Sequence, residues 1–198
     1  MTGSHLSRQL EFLIEADKLK QVLRRTTLAD GSRRENSAEH SWHLAMTAII
    51  LEEYSATPID LARVLQLIVV HDLVEIDAGD TFAYDTRARA TKAQRELEAA
   101  DRIFGLLPAD AGARMRALWD EFEASATPEA RYAQAVDRIQ PFLQNCATSG
   151  GTWRAYRLSR EDILSRMEPV QTALPALWPM VLAKVEEFST SPCPPEPS

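Results

Sequence analysis

The chain contains four histidines, His5, His40, His43 and His71, so any imidazole chemistry must come from that short set. His71 is followed by Asp72 at the end of the most apolar stretch, Leu65-Gln66-Leu67-Ile68-Val69-Val70. An imidazole and a carboxylate are costly to bury there unless they pair or bind an ion. Their nitrogen and oxygen donors suit Mn, Fe, Co, Ni or Zn. Taken alone, the dipeptide reads first as a hydrogen-bonded His–Asp pair. His40 changes that reading. It lies in the first turn of the preceding helix, in Ala38-Glu39-His40-Ser41-Trp42-His43. An antiparallel helix pair brings that start beside the end of the His71 helix. His43, one turn on, reads as a core-facing or supporting imidazole rather than a ligand. Asp137 completes the set, inside the apolar helix Gln134-Ala135-Val136-Asp137-Arg138-Ile139-Gln140-Pro141. By itself it would be an ion pair with Arg138. Pro141 lacks the N–H that would bond the Asp137 carbonyl, so a kink or a freed carbonyl is expected there.

The elements that must position these groups read as helices. Leu6, Leu10, Leu13, Ile14 and Leu19 recur at helical spacing over residues 6–24. A second helix opens at Asn36, whose pairing with Glu39 has the form of a capping box, and runs to near Tyr54 with an apolar stripe of Trp42, Ala45, Met46, Ile49 and Ile50. A third begins at Thr57-Pro58, carries the apolar stretch, is expected to be central, and ends before Gly79. Residues 79–90 read as a loop. Further helices fit about 91–106, 110–124, 128–147, 159–168 and 172–189, with Ser149-Gly150-Gly151-Thr152 as a loop. No clear period-2 stretch bounded by turn residues is found. The expectation is one all-α bundle of about seven helices over residues 1–190, followed by a disordered Pro-rich tail over 191–198.

Composition narrows the class. With 198 residues the chain can bury a core without disulfides. Its two cysteines, Cys146 and Cys193, form no CxxC, which excludes a thiolate zinc site and points to a reducing, cytoplasmic setting. A net charge of −7 argues against a general nucleic-acid or membrane-surface binder. No apolar run spans a bilayer, and the N-terminus shows no secretory h-region. Within this acidic chain residues 18–34 are a basic island: Lys18, Lys20, Arg24, Arg25, Arg33 and Arg34 against Asp30 alone. Arg clamps phosphate bidentately where Lys cannot. Lys18, Lys20 and Arg24 read as a solvated face; Arg25 and Arg34 are the candidates for phosphate or loop-ordering contacts.

The order His40 … His71-Asp72 … Asp137 resembles the HD-domain metal-dependent phosphohydrolases. Local sequence is similar to their 5′-deoxynucleotidase branch in Arg25-Thr26, Arg34-Glu35-Asn36-Ser37-Ala38-Glu39-His40-Ser41, Val70-His71-Asp72-Leu73-Val74-Glu75, Gly79-Asp80, Asp137 and Gly150-Gly151-Thr152-Trp153-Arg154. These blocks cover about residues 6–157. The resemblance implies His40, His71, Asp72 and Asp137 as ligands of one divalent ion (Mn, Co or another transition metal, with Mg or Zn as further candidates). It implies Glu75 and Asp80 as acids near the reacting phosphate, Arg25 as a phosphate contact, a nucleoside 5′-monophosphate as substrate, and a homodimer. Thr26 and Thr27 stand where such relatives often carry a Trp, which bears on the nucleoside contacts.

The residue types suit phosphate monoester hydrolysis. A divalent ion with open positions lowers the pKa of bound water and acts as a Lewis acid. Glu75, one turn beyond His71, is expected on the same helix face, placed to orient or deprotonate that water. Asp80 could protonate the leaving 5′ oxygen or position the nucleophile. Trp153 could cover a base, though a Trp is more often packed. Two other functions compete: an HD hydrolase of alarmones or cyclic dinucleotides, whose dinuclear site would need extra histidines, and a non-catalytic nucleotide-binding module with a closed structural metal. The C-terminal residues Leu174, Leu177, Trp178 and Val181 offer apolar surface for a dimer or simply fill the core.

Overall fold

In a computed structural model the described residues are 4–82, 84 and 90–190. The expected tail at 191–198 and most of the loop between Tyr84 and Ala90 lie outside them. The described chain is built from helices α1 (His5–Ala16), α2 (Ser37–Leu51), α3 (Leu61–His71), α4 (Glu75–Ala78), α5 (Lys92–Gly105), α6 (Ala109–Ala124), α7 (Pro128–Ala147), α8 (Gly151–Ala155), α9 (Arg160–Arg166), α10 (Glu168–Ala173) and α11 (Trp178–Thr190). The all-α class holds. One element was not expected: an antiparallel hairpin of β1 (Leu23–Thr27) and β2 (Arg34–Asn36).

Helices α3 and α7 form the centre. Helix α3 starts at Leu61, where Asp60 caps its first turn, rather than at Pro58, and it buries Val64, Leu67, Ile68 and Val70. Helix α7 is capped by Thr127, runs 20 residues and continues through Pro141. Helices α2, α6 and α10 pack around this pair. The long first helix expected over 6–24 breaks instead into α1, a 3₁₀ turn and β1. The last expected helix is divided into α10, a 3₁₀ turn at Pro175–Leu177, and α11. Gly150 allows the turn between α7 and α8: its φ is +96°, and a Cβ there would sit 2.5 Å from the Phe188 ring.

The helical periodicity was right, but the face it marks was not always the buried one. On α1 the stripe Leu6, Leu10, Leu13 and Ile14 is exposed, with Ile14 at 74%. On α2, Trp42 (67%), Met46, Ile49 and Ile50 are exposed, whereas Ser37, His40, Ser41, Leu44, Thr47 and Ala48 are buried. Helix α2 therefore turns inward a largely polar face that carries His40. The C-terminal residues behave oppositely. Leu174 and Val181 are fully buried and take the second of the two roles considered for them, filling the core, while Leu177 and Trp178 are partly buried against it.

Candidate metal and phosphate site

The start of α2 meets the end of α3. The Asn36–Glu39 capping box is present: Glu39 N–H donates to Asn36 Oδ1 at 2.9 Å, and Asn36 N–H donates to Glu39 Oε2 at 3.1 Å. It fixes the first turn, and with it His40, whose ring centroid lies 5.8 Å from that of His71. His71 is the last residue of α3, and Asp72 follows as its C-cap at φ −93°, ψ 0°. Chain reversal after the helix therefore lets adjacent side chains converge. One ligand atom from each of His40, His71 and Asp72 lies within 4.8 Å of the others. Asp137 reaches the same place from α7: its Oδ1 is 3.0 Å from His40 Nε2, while its other oxygen is paired with Arg138. Asp137 does not fall within the tighter three-residue group.

The nitrogen atoms are prepared for a cation. His71 Nδ1 donates to the Ile68 carbonyl at 2.7 Å, which leaves the Nε2 lone pair free. That Nε2 is buried without a hydrogen-bond partner; Asp72 Oδ1 is 3.0 Å away but off the direction a hydrogen bond needs. His40 Nδ1 faces Gln140 Oε1 at 2.9 Å, so its Nε2 faces the Asp137 carboxylate. A lone pair and a carboxylate oxygen at 3.0 Å need a proton or a cation between them. This donor set fits a divalent metal ion. Burial would lower the His71 pKa, but the charges of Asp72 and Asp137 lift it to about 9. Burial would raise Asp72, but His71 and Arg24 bring it to about 2. Burial likewise opposes ionisation of Asp137, yet Arg138 and His40 hold it well below the usual carboxylate range.

A cavity of about 250 Å³ opens beside these ligands. Glu75 and Asp80 both line it. Glu75 is not on the His71 helix, as the spacing had suggested: three residues break α3, and Glu75 opens the separate α4. It still reaches the cavity, buried and accepting a hydrogen bond from Ser37 Oγ at 2.7 Å. Burial, then the charge of Asp72, raises its pKa well above the ordinary value. Burial and the Asp72 charge also raise Asp80, against the lowering effect of Arg24.

The arginines sort differently from the expectation. Arg24, read from sequence as solvated, is the one that enters the site. Its Nη1 is 3.2 Å from Asp72 Oδ2 and its Nε is 3.6 Å from Glu35 Oε2. Strand alternation explains this: Arg24 points inward while Leu23 and Arg25 point outward. Arg25 still reaches the cavity rim. Arg34 does not line the cavity; its guanidinium donates to the carbonyls of Leu23, at 2.7 Å, and Arg24. These bonds tie β2 to β1, the ordering contact considered for Arg34. The far wall is aromatic, with Phe82, Tyr84, Phe142 and Trp153. Trp153 packs on Phe142 at 5.2 Å and also lines the cavity. Glu35, Gln140 and Gln144, all buried around His40, were not identified from the sequence. Polar residues on the inner face of otherwise apolar helices were the available signal.

A helical bundle with a His/Asp cluster beside an arginine-flanked cavity defines a metal-binding, phosphate-directed class of protein. The HD domain family matches residues 16–178, and the chain belongs to it. Among curated proteins, it is 28% identical to the 5'-deoxynucleotidase HDDC2 of Danio rerio over 140 residues, 70% of this chain and 68% of that one. The Bos taurus 5'-deoxynucleotidase HDDC2 is 28% identical over 145 residues, 73% of this chain and 69% of that one. A solved structure described as a predicted metal-dependent phosphohydrolase from Magnetospirillum magnetotacticum MS-1 is 46% identical, covers 93% of each chain and superposes with a TM-score of 0.88.

Proposed function

We propose that the protein is a metal-dependent phosphohydrolase that cleaves nucleoside 5′-monophosphates, deoxy forms included, to nucleoside and phosphate. The observation that carries this reading is the meeting of His40, His71, Asp72 and Asp137 beside a cavity that also holds Arg24, Glu75 and Asp80 and ends in aromatic side chains. The 5'-deoxynucleotidase names of the relatives support the substrate class. His40, His71, Asp72 and Asp137 hold one divalent ion, with Mn, Co or another transition metal as candidates for the mixed nitrogen and oxygen donors. When bound, that ion supplies Lewis acidity and a more acidic water. Among the described residues the tight ligand group is a single one, and His43 bonds to Gln140 instead of joining it, which favours one ion over two.

The chain's own residues do the rest. Arg24 and Arg25 present positive charge to the phosphate oxygens from one wall. Water adds to phosphorus and the bond to the 5′ oxygen breaks. Glu75 and Asp80, both with raised affinity for protons, handle the proton leaving the water and the one joining the 5′ oxygen. The aromatic wall covers the nucleoside and excludes water. Chelator-treated protein is expected to release no phosphate from a panel of nucleoside 5′-monophosphates and to regain activity with Mn²⁺ or Co²⁺. Equal turnover with and without metal, or none in either, overturns the reading.

The apolar residues exposed along α1 (Leu6, Leu10, Leu13, Ile14) and along α2 (Trp42, Met46, Ile49, Ile50) support pairing with a second copy of the chain, since exposed apolar stripes of this size mark interaction sites. Light scattering is expected to give twice the chain mass, and Trp42→Glu to shift it toward the monomer; a monomeric wild type removes this reading. The unbridged Cys146 is in keeping with a cytoplasmic protein. Among the described residues no helix is long and apolar enough to cross a membrane.

A further inference from the structure

We infer that Gln140 is a positioning residue that fixes the tautomer of His40, and that Glu35, buried behind it, fixes the orientation of Gln140. The inference rests on the reading of His40 as a metal ligand. Gln140 is fully buried on α7, three residues beyond Asp137. Its amide meets three groups at once. Oε1 is 2.9 Å from His40 Nδ1, and Nε2 is 3.0 Å from Glu35 Oε1 and 2.9 Å from His43 Nδ1.

Donor and acceptor identities select one arrangement, in which His40 Nδ1 also lies 3.6 Å from Glu35 Oε2, beyond hydrogen-bond distance. An ionised carboxylate only accepts, so the NH₂ end of Gln140 must face Glu35. Gln144 Nε2, one turn further along the same helix face, donates to the same Glu35 oxygen at 2.7 Å, and Arg24 Nε stands 3.6 Å from the other. Glu35 is 1% exposed, so water cannot substitute for these donors. With the NH₂ end held, the amide oxygen faces His40 and accepts from Nδ1–H. The His40 proton is thereby kept on Nδ1, and Nε2 presents its lone pair toward Asp137 Oδ1 at 3.0 Å. A flipped amide would put its NH₂ against Nδ1, move the ring proton to Nε2 and block the ligand atom. The second NH₂ hydrogen goes to His43 Nδ1, which gives His43 a supporting role in the same chain.

Metal affinity and ring protonation test this without reference to turnover. In ¹⁵N NMR of the wild-type protein, with and without Zn²⁺, His40 is expected to carry its proton on Nδ1, and with Zn²⁺ to bind through Nε2. Titration of metal-free protein with Co²⁺, followed by its visible absorption, is expected to show about 10–100-fold weaker binding for Gln140→Met, the range typical of lost ligand-orienting partners. Glu35→Gln should weaken binding less, because the amide keeps its oxygen but loses the group that orients it. The double variant should bind within two-fold of Gln140→Met, as expected if Glu35 acts through Gln140. A purely structural role would lower the melting temperature of these variants and leave the Co²⁺ affinity of the folded protein unchanged, which overturns the inference. So does a wild-type His40 that carries its proton on Nε2, a result that needs no variant to fold. A wild type that binds no Co²⁺ at all is a distinct failure: it removes the metal reading itself.

Discussion

Asp72→Asn is expected to lower phosphohydrolase activity by about 10³-fold or more and to weaken divalent-ion binding by over about 100-fold, beyond what loss of an orienting partner alone costs. The substitution keeps shape and removes charge. Asp72 sits in the three-residue ligand group and also faces Arg24 Nη1 at 3.2 Å. An amide leaves the cation with less negative charge around it. It also leaves a buried guanidinium facing a neutral group, although Glu35 remains 3.6 Å from its Nε. Isothermal titration of metal-free protein with Mn²⁺, alongside phosphate release from a deoxynucleotide, measures both effects. The two losses should appear together. Full metal affinity with lost activity would mean that Asp72 acts only on the phosphate side through Arg24, and would move the metal centre elsewhere.

Glu75→Gln is expected to separate these two properties. Metal affinity should stay within a few-fold of wild type, because Glu75 lies outside the ligand group. Turnover should fall by about 10²–10⁴-fold, the usual contribution of a positioned general acid or base. Ser37 Oγ, 2.7 Å from the Glu75 carboxylate, can also donate to the amide oxygen, so the side chain has a way to keep its place. Comparing a nucleotide with an aryl phosphate, whose leaving group needs no proton, identifies the step. A smaller loss with the aryl ester places Glu75 at the leaving oxygen; an equal loss places it at the attacking water. An unchanged turnover number removes Glu75 from the chemistry.

Much of this site was legible before any coordinates. A capping box names the residue that starts α2, so the position of His40 in the first turn could be read directly from Asn36 and Glu39. The apolar stretch before His71 marked a central helix, but its end at His71 was not legible, because Leu73, Val74 and Ile76 carry the apolar pattern on toward Gly79. Arg24 was not legible. Neighbouring arginines in a strand point to opposite faces, and nothing in Leu23-Arg24-Arg25-Thr26-Thr27 shows which face is inside. The strand itself was hidden because its inward residue is charged, which erases the apolar alternation that reveals strands. The same inversion misled the reading of α2, whose polar side is buried around His40 and whose Trp42 side is exposed.

Order along the chain, through its likeness to the HD-domain phosphohydrolases, gathered the expected ion ligands and the two acids at one centre; residue chemistry alone left His71-Asp72 readable as a buried hydrogen-bonded pair. Tertiary structure decided that Arg24 faces Asp72, that a broken helix still delivers Glu75 to the cavity, and that Gln140 meets His40. Those choices depend on contacts between residues up to about a hundred positions apart, such as Glu35 with Gln140 and Gln144. Local spacing carries no record of such contacts; only folding that sets β2, just ahead of α2, beside α7 brings them within hydrogen-bond distance.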